Sequence, residues 1–254
     1  MLQMMARTPD KIAVAVRFCA VIPTYNNAAT LLDVVRRTHA QLPDIVVVDD
    51  GSTDRTAELL AASPVPVTVV SCGRNRGKGH ALREGFRKAR SSGFTHAVTI
   101  DADGQHYPED LPRLLSAARE NPAALIVGSR PLDHVNMPRG NTFANRFSNF
   151  WFRLQTGLDL PDTQTGLRVY PLAGLRGERW MTSRYEAELE LLVASAWAGV
   201  RLLPVTVRVD YPDDRVSHFR PTLDFLRISI LNTVLCFLAV VYGRPRMLIE
   251  KLLR

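Results

Sequence analysis

The chain is poor in cysteine: Cys19, Cys72 and Cys236 are its only three in 254 residues, and no two form a CxxC pair. That spacing excludes a disulfide framework and the thiolate zinc ribbons. Each cysteine stands beside apolar or small residues, as buried, inert thiols of a reducing compartment do. No GxxxxGKS run is present to cradle a triphosphate, and the histidines show no HExxH spacing. Internal repeats and low-complexity tracts are lacking, and no nucleic-acid reading motif accompanies the basic residues, so a nucleic-acid partner is not expected. The opening MLQMMARTPDKIAVAVRF has neither a continuous apolar stretch nor a small-residue cleavage site, so no signal peptide is expected in it.

What is there suits a globular protein: 46% of residues are hydrophobic and 22% charged, enough to bury a sizeable core. The length fits one large α/β domain with a short appendage. Thirty-two basic against twenty-five acidic residues leave a net charge of +7. Such a surplus suits nucleotide phosphates, lipid phosphates or an acidic membrane face, although a plain surface excess gives the same number. Short apolar runs alternate with helical patterns, which favours a largely parallel sheet covered by helices. Strands are expected at residues 17–22, 44–48, 65–71, 96–100, 125–128, 167–170 and 205–211. Helices are expected at 28–42, 53–62, 78–91, 109–120, around 147–154 and near 186–198, with a loop over 131–145. The tail, 221–254, differs: residues 228–242 carry no charge, while Arg244, Arg246, Lys251 and Arg254 crowd the end.

Two strand ends carry the chemistry. In VTIDADGQHYPED, Asp101 and Asp103 are one residue apart beyond an apolar strand and can turn both carboxylates toward one cation of the kind that prefers oxygen, Mg²⁺ or Mn²⁺. Ligands of open α/β sheets bind beyond the carboxyl ends of the strands, where these acids fall. A plain surface turn is the competing reading, since Asp and Gly are turn residues. In VVVDDGSTD, Asp49 and Asp50 follow another uncharged strand. Asp49 reads as facing a nucleobase, and Ser52, Thr53 and Asp54 as the cap of the next helix.

Together with VIPTYNN (residues 21–27), NRGKGHALREGF (75–86) and GSR (128–130), these segments resemble the family 2 glycosyltransferases, α/β enzymes with a GT-A fold. Within that family they look most like the dolichyl-phosphate or polyprenyl-phosphate sugar transferases. The resemblance covers residues 17–220, with 221–254 as a separate apolar and basic tail. It implies that Pro23, Tyr25, Asp49 and Asp50 hold the nucleoside, with Lys78 and Gly79 in a loop near the nucleotide. Asp101 and Asp103 match the metal and diphosphate site, with Gln105 as a further ligand. Arg130 and Arg139, and more weakly Arg146, match basic positions that hold phosphates. Asp162 opens DTQTG, which resembles the acceptor-side motif, and Arg215 in DRVSH resembles a basic residue on a late loop. Asn27 stands where the family usually has Glu, and His218 where it usually has Lys.

An inverting transfer from a UDP- or GDP-linked sugar follows from the resemblance, to a polyprenyl phosphate or another membrane lipid. A lipid phosphate is already anionic and needs no strong base; a hydroxyl acceptor would need a carboxylate within reach, for which Asp162 and Glu186 are the candidates. Fifteen uncharged residues in the tail fall short of the roughly 20 that span a bilayer. An interfacial helix at the cytoplasmic face of the membrane is therefore expected, a helix packed on the domain or a homodimer contact being the alternatives. A sugar nucleotidyltransferase would need a Gly-rich activating loop that VIPTYNNAAT lacks. A non-catalytic nucleotide- or lipid-binding protein has only Asn27 in its favour.

Overall fold

The structure is a computed structural model that describes residues 15–130, 139–175, 180–210 and 221–252, the side chains of 139–143 and 221–225 apart. β1 (Phe18–Thr24) is buried at every position. A strand with no charged residue can be flanked on both sides and covered on both faces, and this one is. Parallel neighbours are β2 (Ile45–Asp49) and β4 (His96–Thr99), with β3 (Thr68–Ser71) beyond β2. The full order is β3-β2-β1-β4-β6-β5-β7, with β5 (Leu125–Ser129), β6 (Arg168–Pro171) and β7 (Leu202–Thr206). β6 alone runs against its neighbours β4 and β5. Its start therefore lies beside the end of β4, Arg168 opposite Thr99.

Alternation along the strands divides the core in two. Ala20, Ile22, Val47, Val98 and Val169 pack with Leu31, Val34 and Val35 of α1 (Leu31–His39), Leu60 of α2 (Thr56–Ala61) and Leu111, Leu114 and Leu115 of α4 (Leu111–Glu120). Cys19, Val21, Val46, Val48 and Ala97 face the other way. They pack with α3 (Lys78–Ser91), α5 (Arg139–Thr156), α6 (Glu186–Trp197) and α7 (Pro221–Leu238). The cysteines are free thiols, and burial pushes Cys19 up to about 12, with Asp44 adding to the rise.

Most elements lie within a few residues of their expected bounds. The exceptions are β7, expected at 205–211 and found at Leu202–Thr206, and α5, which starts at Arg139, inside the stretch expected as loop. Its inward positions are Asn145, Ser148, Phe152, Gln155 and Thr156, mostly polar, so hydropathy gave no helical stripe. Their polar groups are used: Gln155 donates to Asn232 Oδ1 of α7 at 2.9 Å, and Trp197 Nε1 donates to the Gln155 carbonyl at 3.0 Å.

The tail is one helix. α7 continues through a π-turn (Ala239–Gly243) into α8 (Arg244–Leu252). The 27 residues Leu226–Leu252 are long and apolar enough to cross a membrane, by length and composition. The uncharged stretch of 15 residues understated the helix because helical structure runs on past the basic residues at its end. One face, Leu231, Asn232, Leu235 and Ala239, is buried against the domain, and the opposite face leaves Leu226, Ile230, Val234, Phe237 and Val241 exposed. Replacing Asn232 with Ala leaves the buried Gln155 amide only the long contacts to the 232 carbonyl and Cys236 Sγ, and is expected to cost roughly 1–3 kcal/mol. Thermal melts in detergent check this; a variant that melts like the natural chain shows that the amide finds another partner.

Candidate active site

The parallel strands bring their carboxyl ends to one edge, and the sequence motifs gather there. β1 exits through Tyr25, β2 through Asp49 and Asp50, β4 through Asp101, and β5 through Arg130. The reversed β6 adds residues 162–167 at its start. Thr99 Oγ1 donates to the Gly166 carbonyl at 2.7 Å, fixing the DTQTG loop against the acidic strand end. A Cβ at position 166 would lie 2.2 Å from Asp101 Oδ2, so only glycine leaves room for that carboxylate.

Lys78 Nζ sits 2.6 Å from Asp101 Oδ1 and 2.7 Å from Glu188 Oε2, and its side chain is only 15% exposed. Burial alone would lower the ammonium, but the two carboxylates outweigh it and hold Lys78 above the ordinary lysine value. Burial would likewise raise Asp101, but the Lys78 ammonium and other nearby positive charge keep it below the ordinary range. Lys78 thus opens α3 as a largely buried residue and does not lie in a loop. α3 reaches α6 because Gly79 touches it directly: a Cβ there would lie 2.3 Å from Ala187 Cβ. Gly79 thus serves the contact between these two helices. Glu188 was not picked out from sequence. Its signal was three acids inside an otherwise apolar helix, Glu186, Glu188 and Glu190, all buried. Glu190 accepts the amides of Met181 and Thr182, whereas Glu186 lines a small groove with Met181, Arg227 and Ile230.

The structure also joins Arg130 to Asp162. The Arg130 Nε and Nη2 groups donate to the two carboxylate oxygens at 2.5 and 2.9 Å, and its backbone amide adds a third bond. Asn145 and the Gln164 amide complete the set around a fully buried carboxylate. Burial would raise Asp162, but these bonds and the guanidinium charge hold it below the usual carboxylate range. Arg168, fully buried and also missed, donates to Tyr170 Oη, the Thr163 carbonyl and the Glu188 carbonyl. It ties β6, the DTQTG loop and α6 together.

The nucleoside candidates are part strut, part surface. Asp49 Oδ1 caps the turn through the Ser52 amide, and Asp50 takes the amides of Arg76 and Gly77, pinning the loop before Lys78. Burial pushes Asp50 up, against those two amides. Asp54 takes the Thr56 amide just ahead of α2, but the N-cap position is Arg55 without a side-chain cap, and Ser52 and Thr53 bond Asn26 instead of capping the helix. Pro23 is buried within β1 and Tyr25 half-buried at its exit. Arg146 is exposed on α5, Arg139 opens that helix, and Arg215 and His218 lie outside the described residues.

The residues at the acidic strand end fit a divalent ion. Asp103 Oδ1 is oriented by the Gln105 amide at 3.0 Å, and Asp101 already stands against a cation. His106 is buried with no partner for Nδ1 among the described residues, and burial lowers it to about 4, so it is a neutral imidazole. Two carboxylates and a carboxamide are the oxygen donors that Mg²⁺ or Mn²⁺ prefers, while among the described residues Asp50, Cys72 and His80 are the three whose ligand atoms lie within 4.8 Å of one another. The Gln105 backbone carbonyl accepts the Asp210 amide, which places Asp210 beside this motif.

The depressed Asp162 carboxyl stabilises the fold above the ordinary value of about 4, and that contribution is lost as pH falls through the depressed one. Asp162→Asn leaves Arg130 without its charge partner and is expected to cost about 3–5 kcal/mol near neutrality. Urea melts down to about pH 3 should show the gap to the natural chain closing. A gap that stays constant with pH contradicts the pairing.

Comparison with known proteins agrees with this geometry. Residues 19–175 match the Glycosyl transferase family 2 sequence model. The chain is 33% identical over 202 residues to an undecaprenyl-phosphate mannosyltransferase of Micrococcus luteus, covering 75% of this chain and 82% of that one. It is 28% identical over 214 residues to a UDP-N-acetylglucosamine–dolichyl-phosphate N-acetylglucosaminyltransferase of Methanococcus voltae, covering 76% and 85%. The glucosyl-3-phosphoglycerate synthase of Mycobacterium tuberculosis, solved with Mn²⁺, UDP and phosphoglyceric acid, superposes with a TM-score of 0.64 at 19% identity, covering 89% and 78%. That likeness speaks for the GT-A fold expected from the motifs. With the family model spanning more than half of its length, and a relative one-third identical across three quarters of it, the chain belongs to glycosyl transferase family 2.

Proposed function

We propose that this glycosyltransferase moves a sugar from a UDP- or GDP-linked donor to a polyprenyl phosphate, with inversion, using Mg²⁺ or Mn²⁺ held by Asp101 and Asp103 with Gln105. The observation that carries the reading is the joining of the acidic strand end, Lys78 and the Arg130–Asp162 loop at one sheet edge. When bound, the divalent ion would neutralise charge developing on the leaving diphosphate. Lys78 adds a second positive charge beside it, and Asp49, Asp50 and Tyr25 shape the nucleoside end.

The acceptor follows from what the carboxylates are doing. Asp162 spends its oxygens on Arg130, Asn145 and two backbone amides, so it is poorly placed to take a proton. Glu186 faces the groove beside α7. With the Asp162 carboxylate taken up and Glu186 lining that groove, an acceptor that arrives as an anion is favoured. Arg139 and Arg146 are seven residues apart, two turns of α5, and so share one helix face. That face and Arg215 are the proposed contacts to phosphate. The two relatives named for undecaprenyl and dolichyl phosphate support the same class. The exposed apolar stripe of α7 is the proposed membrane contact, at the cytoplasmic face.

The test is a panel of UDP- and GDP-sugars with Mn²⁺, offered polyprenyl phosphate or the neutral polyprenol. Transfer to the phosphate alone is expected, and equal use of both alcohol and phosphate overturns the acceptor reading. Asp103→Asn should fold and lose roughly 10²-fold or more in turnover. Arg139→Ala should raise the acceptor KM while the nucleotide Kd stays put, and Arg139→Lys should restore it only in part. For the membrane contact, Phe237→Glu with Val241→Glu should move the protein from the membrane fraction to the soluble one and leave UDP binding intact. Unchanged fractionation removes that surface from consideration.

A further inference from the structure

Lys78 is bonded to one of the two Asp101 oxygens, so a divalent ion at Asp101 would share its carboxylate with an ammonium. Its ammonium is in contact with Asp101 Oδ1 and, on its other side, with Glu188 Oε2. The arrangement is built from both sides. Gly166 leaves room for the Asp101 carboxylate, and Gly79 lets α3 approach α6 until Lys78 meets Glu188. Arg168 holds the α6 backbone at that point through the Glu188 carbonyl at 2.8 Å. The second Glu188 oxygen, Oε1, is buried with no partner among the described residues, so this carboxylate has accepting capacity left over.

An ammonium and a divalent ion on one carboxylate repel each other strongly in a site this dry. Either the ion is kept out or the ammonium yields. Glu188 offers the ammonium somewhere to stay, and a nucleotide diphosphate brings the negative charge that lets both cations remain. We propose that Lys78 is the resident cation of the donor site: it neutralises Asp101 in the empty enzyme and is handed to Glu188 and the diphosphate when the metal enters with the nucleotide. Glu188 is then a positioning residue, holding Lys78 beside the leaving group, and the metal binds weakly until the nucleotide is present. This rests on the reading of Asp101 as a metal ligand.

Mn²⁺ binding, followed by the free-ion EPR signal with and without UDP, tests it on the full chain. Without UDP, Lys78→Met is expected to tighten Mn²⁺ about tenfold, because Asp101 loses its competitor. Glu188→Gln is expected to weaken it several-fold, because the ammonium then leans on Asp101 alone. In the Lys78→Met background the Glu188→Gln effect should vanish, which a purely local loss of charge would not produce. With UDP present, Lys78→Met should bind the nucleotide more weakly than the natural enzyme. Unchanged or weaker Mn²⁺ binding in a folded Lys78→Met, or an equal Glu188→Gln loss in both backgrounds, overturns the handover. Should Lys78→Met fail to fold, the isosteric Glu188→Gln decides, and unaltered Mn²⁺ affinity there overturns it as well. A natural enzyme that takes no Mn²⁺ even with UDP removes the metal reading itself, a different failure from Mn²⁺ bound with indifference to Lys78.

Discussion

Three side chains from three elements, Lys78 of α3, Asp101 after β4 and Glu188 of α6, meet in one largely buried ionic cluster. The rest of the site depends on that meeting. Burying charges is unfavourable unless each finds a partner of opposite sign. The cluster therefore constrains how closely α3 can approach α6 and where the strand-end acid can point. Small residues supply the tolerance: glycine at 79 and at 166 allows contacts that any side chain would block. The acidic end of β4 is held in place before any ligand arrives.

A second layer of buried polar contacts supports the first. Arg130 and Asp162 lock the end of β5 to the DTQTG loop, and Arg168 locks that loop to α6. Both guanidiniums use their fork geometry, a rigid set of donors that Lys could not reproduce. Because these bonds end on backbone carbonyls and on one shared carboxylate, the loops at the sheet edge behave as part of the scaffold. Asp110, in the same acidic motif, does comparable work at the far side by taking the Arg208 amide and guanidinium. The apolar helix at the end of the chain belongs to this scaffold on one face, through Leu231, Asn232 and Leu235. It turns an unpaired apolar stripe outward on the other.

Much was legible in the order of residues. Uncharged strands such as residues 45–48 and the acids that terminate them identify a parallel sheet with a ligand edge, because a strand covered on both faces carries charge only where a buried partner meets it, as at Arg168. From that pattern and five short motifs the α/β class, the family and the acidic strand end could all be read. The bounds of α3 were read to the residue, since a long run with a clean apolar period leaves little choice. α5 was not readable in its first turns, because its inward face is amide and hydroxyl, and a hydropathy period cannot see a polar contact whose partner is remote in sequence.

What tertiary structure alone decided was partnership. Asp162 and Arg130 were named separately, as a possible base and a possible phosphate ligand, and the fold pairs them with each other. Lys78 was placed near the nucleotide by its motif alone, and the fold buries it between two acids. Glu188 was one glutamate among three, and its turn of the helix gave it Lys78 while Glu186 received the groove. Local sequence determines which residues alternate, cap and terminate. It carries no information on which buried charge will face which, because that choice is made across loops by the antiparallel entry of β6 and the close contact of α3 with α6.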